Sequence, residues 1–209
     1  MKAGVLALQG DFREHAAAFA ALGATPVEVR TPEHLAEVDC LAIPGGESTT
    51  IAKLASLYGL DEAIRSFDRP VFGTCAGMIV MAREIGGGEP PILPLLDVTV
   101  ERNAFGRQLE SFETDLSVPV LGDRPVHGVF IRAPIIDRTG PDVDVLARLE
   151  DGRIVAVRER NVIATAFHPE LAGETRFHRL LAMLASEHED PGEGAGRRPH
   201  PTRRSRNQA

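Results

Sequence analysis

The chain has 209 residues, 43% hydrophobic and 25% charged, with a formal net charge of -7. That length supports one large domain or two small ones with a substantial core. The composition is ordinary for a soluble globular protein, and the negative balance gives no reason to expect nucleic acid as a main partner.

The opening MKAGVLALQGDFREH has too short an apolar stretch, followed too soon by charge, to act as a signal peptide. No segment approaches the roughly 20 apolar residues that span a bilayer. A cytoplasmic location follows as the expectation, with Cys40 and Cys75 as reduced thiols rather than a disulfide. They lack CxxC spacing, so neither a metal site nor a cofactor is expected.

In chain order, Ala3–Leu8 reads as a buried strand and Asp11–Leu22 as a helix, with Asp11 and Glu14 spaced to start it. Pro26–Arg30 is a second strand, and Thr31-Pro32 opens a short helix. Asp39–Ile43 is a third strand that runs into PGGEST and a helix over Ser48–Leu57. Asp61–Phe67 reads as a helix and Pro70–Gly73 as a strand. Strands alternating with helices predict βαβ units and a mostly parallel sheet.

The second half is strand-rich: Val98–Val100, Gln108–Thr114, Val126–Ile131, Val143–Leu149 and Arg153–Arg158. Asp151-Gly152 signals a hairpin between the last two. These read as mixed or antiparallel additions to the sheet. Asn161–Phe167 is a final strand and Leu171–His188 a closing helix. From residue 189 the chain is rich in Gly, Pro and Arg and lacks large apolar residues, which predicts a disordered tail over 189–209 after a globular unit over 1–188. The tail's arginines (Arg197, Arg198, Arg203, Arg204 and Arg206) read as solvated, with contact to a polyanion as the alternative.

The chemistry centres on FGTCAGMIV at 72–80, where strand, tight turn and helix succeed one another with Cys75 at the bend. A nucleophile on such a turn projects from the sheet edge, and the free N–H groups of the following helix favour a thiolate and hold a developing oxyanion. A merely buried cysteine is the plain alternative, and Cys40, mid-strand, fits it.

A thiol needs a base. His168 ends an apolar strand in ATAFHPEL, two residues before Glu170. In extended chain, with Pro169 excluding helix, both side chains point the same way, so Glu170 can hold Nδ1 and leave Nε2 to the sulfur. A loop histidine beside a helix-starting glutamate is the alternative, and His127 is the reserve base. His15, His34 and His178 are assigned to solvated helix faces.

The Pro44–Thr49 loop, PGGEST, lies at a strand's carboxyl end, where α/β sheets bind ligands, although it lacks the lysine of a P-loop. Ser48 reads as a helix N-cap. Arg102 in ERNAFGRQ and Arg132 in VFIRAP are either carboxylate-binding forks or surface residues.

Together VLALQGDFREH (5–15), IPGGEST (43–49), FGTCAGMI (72–79), RNAFGRQ (102–108), VFIRAP (129–134) and FHPEL (167–171) resemble the class I (triad) glutamine amidotransferases. The nearer resemblance is to the branch that serves pyridoxal 5'-phosphate synthesis. The resemblance covers about residues 1–188 and implies a flavodoxin-like three-layer α/β/α sandwich, with a mostly parallel central sheet and antiparallel additions. It implies glutaminase activity on L-glutamine, with Cys75 as nucleophile, His168 as base and Glu170 as its orienter. Gly46, Glu47, Ser48, Arg102, Ile131 and Arg132 would bind glutamine. Backbone N–H groups of Gly45, Gly46 and Ala76 would form the oxyanion hole, and Gln9 and Gly10 would lie near a partner interface. The implied partner is a synthase subunit that joins the released ammonia to a pentose phosphate and a triose phosphate, with no membrane or nucleic acid involved. A peptidase or deglycase with a related cysteine elbow, and a non-catalytic regulatory subunit, are the competing readings.

Overall fold

The computed structural model describes residues 1–88, 90, 92–102 and 111–189. The first half alternates as expected: β1 (Lys2–Leu6), α1 (Phe12–Ala21), β2 (Thr25–Val29), α2 (Pro32–Ala36), β3 (Cys40–Ile43), α3 (Ser48–Leu57), α4 (Leu60–Arg65), β4 (Val71–Thr74) and α5 (Ala76–Met81). Then follow β5 (Ala82–Ile85), β6 (Leu96–Glu101), β7 (Ser111–Leu116), β8 (Val126–Ile131), β9 (Ile135–Thr139), β10 (Asp144–Arg148), β11 (Ile154–Glu159), β12 (Val162–Thr165) and α6 (Arg176–Glu189).

The large sheet runs β2-β1-β3-β4-β12-β11-β9-β6-β5, with β10 paired to β11. Its β2-β1-β3-β4-β12 portion is parallel throughout. Every residue of β3 and β4 is buried, as strands covered by helices on both faces require. Helices α1 and α6 pack together on one side, while α3 touches α4 and α5 on the other. Apolar positions Phe177, Leu180, Leu181, Leu184 and Ala185 recur with helical spacing along α6 and form its buried stripe. Because the five parallel strands point the same way, the loops leaving β1, β3, β4 and β12 emerge at one edge. Among the described residues no helix is long and apolar enough to cross a membrane.

The structure departs from the sequence pattern in several places. Strand β5 is not among the predicted elements and begins where α5 does not continue. Ala82 instead turns extended at φ -65° and ψ 143°, and its neighbours Arg83 and Glu84 face solvent. Strand β9 carries no strand signal because Asp137 and Arg138 interrupt its apolar run, and both lie exposed on that strand. Strands β7 and β8 form a separate two-stranded sheet rather than additions to the large one. The closing helix starts at Arg176, not Leu171, because Glu170–Ala172 form a 3-10 turn ended by Gly173 at φ 66°. The Asp151-Gly152 hairpin is present, with Gly152 at φ 89° between β10 and β11. Most of RNAFGRQ (103–108) and all of the expected tail (189–209) but Glu189, which ends α6, lie outside the described residues.

Candidate active site

Cys75 stands between β4 and α5 with φ 48° and ψ -104°, a region that side chains other than glycine rarely enter. The turn is held because the Cys75 N–H donates to the Thr165 carbonyl of β12 at 2.8 Å. The flanking glycines are steric necessities. A Cβ on Gly73 would run into Met81 and the Gly77 backbone, and one on Gly77 into the Ile43 carbonyl. The bend therefore points the sulfur into a cavity while leaving the residue only 7% exposed, and the thiol donates weakly to the Ile131 carbonyl at 3.8 Å.

His168 follows β12 at the same edge, its N–H donating to the Val129 carbonyl at 2.8 Å. Its Nδ1 donates to Glu170 Oε1 at 2.8 Å, as expected, but not by strand alternation. Pro169 is helical at φ -64° and ψ -31°, and the 3-10 turn brings the carboxylate round. Nδ1 has a second partner that the sequence does not announce: Asp11 Oδ2, also at 2.8 Å. Burial opposes a charge on His168, yet the hydrogen bonds to Asp11, Cys75 and Glu170 hold the imidazolium far above its ordinary range, pushed up to about 12. Burial raises Glu170 to about 7 against the pull of His168. Burial acts the same way on Asp11, but there the bond to His168 prevails and holds it down to about 2.

Behind this pair lies a buried polar chain whose members the helical pattern assigns to solvent. His15 Nδ1 and His178 Nε2 are 2.9 Å apart, and His15 Nε2 is 3.1 Å from Thr74 Oγ1. Both histidines are fully buried. A signal for this is present, since His15 lies three and four residues before the buried Ala18 and Phe19 and shares their face. Thr74 also accepts the Gly45 N–H at 3.1 Å, so that amide is engaged within the loop.

In the PGGEST loop Glu47, not Ser48, is the N-cap of α3. Its carboxylate accepts the N–H of Thr49 at 3.1 Å and of Thr50 at 2.7 Å, together with both threonine hydroxyls. Those bonds, from Thr49 first, hold the carboxylate down to about 2. The Glu47 N–H in turn donates to Gln9 Oε1 at 2.7 Å, tying the LALQG turn to this loop. Gly10 needs its positive φ of 98° and its missing Cβ, which would overlap the Gly45 carbonyl.

All of the expected residues except Gly10 and Glu170 line one cavity of about 490 Å³. Gln9, Gly45, Gly46, Glu47, Ser48, Cys75, Ala76, Arg102, Ile131, Arg132 and His168 all line it, together with Asp11, Ile79 and Leu171. Arg132 is bent at φ 44°, so the end of β8 turns into the site. The reserve base His127 is not among the lining residues; it pairs on the outer hairpin with Asp115 at 2.8 Å and Glu113 at 2.9 Å. Asp11, His15 and Glu170 each bring one ligand-type atom within 4.8 Å of the others, but the two carboxylates already converge on His168 Nδ1.

The buried imidazoles make stability depend on pH. Burial lowers His15 from 6.5 to about 4 and carries His178 well below 6.5, so as pH falls below 6.5 the unfolded chain takes up protons at both rings before the folded chain does. Glu170, raised from 4.5 to about 7, acts oppositely over nearly the same interval and offsets one of the two. The remaining uptake by the unfolded chain lowers stability as pH falls below 6.5. Urea unfolding at pH 6.5 and 5 is expected to show a lower midpoint at pH 5. Equal midpoints would mean that the histidines are not buried neutral.

Residues 5–185 match the model of the SNO glutamine amidotransferase family. A protein of Herpetosiphon aurantiacus named pyridoxal 5'-phosphate synthase subunit PdxT is 55% identical over 190 residues, covering 88% of this chain and 100% of the relative. One of the same name from Pelotomaculum thermopropionicum is 57% identical over 184 residues, covering 87% of this chain and 93% of the relative. A solved structure described as a glutamine amidotransferase superposes with a TM-score of 0.83 at 53% identity, covering 88% of this chain and 98% of that one. The solved structure of PurLQS from Thermotoga maritima includes a chain that shares the fold, at 18% identity and a TM-score of 0.59, covering 88% of this chain and 98% of that one.

Proposed function

The chain belongs to the SNO glutamine amidotransferase family, and from that premise we propose that it is the glutaminase subunit of a cytoplasmic pyridoxal 5'-phosphate synthase. It would release ammonia from L-glutamine and pass it to a synthase subunit that combines it with a pentose phosphate and a triose phosphate. The observation that carries this reading is the meeting, in one cavity, of a cysteine on a strained elbow, a histidine oriented by carboxylates and two arginines.

The Cys75 thiolate attacks the side-chain amide carbon of glutamine, and the carbonyl electrons move onto oxygen. Amides of Gly46 and Ala76 are the donors proposed for that oxyanion. The imidazolium of His168 protonates the departing nitrogen, so ammonia leaves and a glutamyl thioester remains. Neutral His168 then draws a proton from water, the hydroxyl adds to the thioester, and glutamate leaves as the thiolate re-forms. Arg102 and Arg132 supply forks for the α-carboxylate of glutamine, and Ser48 and the Ile131 carbonyl supply polar contacts. Glu47 serves chiefly by holding α3 and the Gly46 loop in place.

Free ammonia becomes ammonium in neutral water and ceases to be a nucleophile, so direct transfer to a docked acceptor is the chemical reason for a separate subunit. Ile131 (38% exposed) and Leu171 (43% exposed) offer apolar surface at the cavity rim, next to Gln9, for that docking. The test is glutamate release from glutamine by the purified chain, with and without the synthase subunit. Release is expected to appear or rise sharply with the synthase. No release in either case would return the chain to the reading of a non-catalytic subunit.

A further inference from the structure

We propose that Asp11 is a second positioning carboxylate for the catalytic histidine, sharing the Nδ1 proton of His168 with Glu170. Only its effect on turnover rests on the glutaminase reading.

Asp11 is the N-cap residue of α1, and an aspartate there ordinarily turns its carboxylate back onto the first amides of its own helix. Asp11 makes no such bond. Its Oδ2 instead reaches His168 Nδ1, across 157 positions of sequence, at the same 2.8 Å as Glu170 Oε1. The Asp11 N–H donates to the Gly45 carbonyl at 3.4 Å, which anchors the turn that aims it.

Nδ1 carries one hydrogen, so two carboxylates at equal distance cannot each hold it as separate anions without strong mutual repulsion. They keep one further proton between them. Burial decides where it resides, since the Glu170 side chain is 0% exposed and the Asp11 side chain 17%. Asp11 also sits at the positive end of a ten-residue helix, which favours an anion there. In the resting site Asp11 is therefore the charged partner that holds Nδ1–H, and Glu170 is its protonated neighbour. Asp11, as the anion, stabilises the imidazolium of His168, and Glu170 Oε1 accepts from the same Nδ1–H.

The other groups facing His168 are Cys75 on the elbow and His15 on α1, with His178 of α6 one ring further away. Arg102, Arg132 and Glu47 line the same cavity and are unaltered by the test.

Asp11→Asn preserves the shape of the side chain at the start of α1 while removing the charge. The full chain would be labelled with 15N-histidine, and the His168 ring followed through its titration, assigned by its loss in His168→Gln. The midpoint is expected to fall by about one unit or more, the size of effect that an opposite charge at this distance produces. With the synthase subunit present, kcat for glutamine hydrolysis is expected to fall about tenfold with KM little changed, the counterpart of one unit. An unmoved His168 midpoint would overturn the proposal, even if turnover fell, because the aspartate would then act only as a helix start. If the unaltered chain released no glutamate yet the midpoint fell, the glutaminase reading would fail and the Asp11–His168 pairing would stand.

Discussion

Replacing Cys75 by alanine is expected to lower glutamate release in the presence of the synthase by on the order of 10⁴-fold or more, with the fold intact. Every step of the proposed reaction passes through the sulfur. No neighbour can take its place, since among the described residues the cavity holds no second thiol and Cys40 is fully buried in β3. Burial also pushes the Cys40 thiol up to about 12, which leaves it inert at neutral pH. The backbone strain at φ 48° belongs to the elbow rather than to the sulfur, and alanine carries the same Cβ into the same turn. Thermal unfolding should therefore change little. Glutamate release within tenfold of the unaltered chain would end the assignment of Cys75 as nucleophile.

The second large effect is expected from Gly45→Ala. A methyl group there would overlap the His168 ring at Cε1, and Nδ1 and Nε2 lie close behind. The imidazole cannot retreat freely, because Nδ1 is held by Asp11 and Glu170 and the residue's own N–H by Val129. The alanine methyl must therefore displace the base or push the PGGEST loop away from it, and the loop is tied to Gln9 and Thr74. A displacement of about 1 Å at a reacting group can cost on the order of 10²-fold, which is the loss expected in kcat. Glutamine affinity is expected to change less, because the arginines stand on other elements. Unchanged kcat would show that the loop gives way and that His168 does not need its wall.

Much of the site is legible in the sequence because its chemistry is local. The elbow occupies nine consecutive residues at 72–80, and the strand, glycine and cysteine pattern specifies the strained turn whatever surrounds it. The same is true of His168-Pro169-Glu170, where closeness in sequence brings the right carboxylate to the right nitrogen. Even so, the reason inferred from strand alternation is wrong, since a 3-10 turn and not extended chain makes the contact. Strands β3 and β4 are readable because fully buried strands are continuous apolar runs, whereas β9, with charges on its exposed positions, is not.

Steric and hydrogen-bonding rules acting over a few residues are thus enough to specify the elbow that carries Cys75, the pairing of His168 with Glu170, the glycines that shape the loops and the parallel half of the sheet. Which distant groups meet is settled by packing alone. Asp11 reaches His168 across 157 positions because α1 packs against the 3-10 turn after β12, and His15 reaches His178 across 163 because α1 also packs against α6. Helical periodicity says which side chains share a face but not whether that face is covered, so His15 and His178 pass for solvated residues until the fold places them in the core. Capping rules likewise show that Asp11 can start a helix, while only the assembled fold turns its carboxylate away from that helix and onto the imidazole of His168.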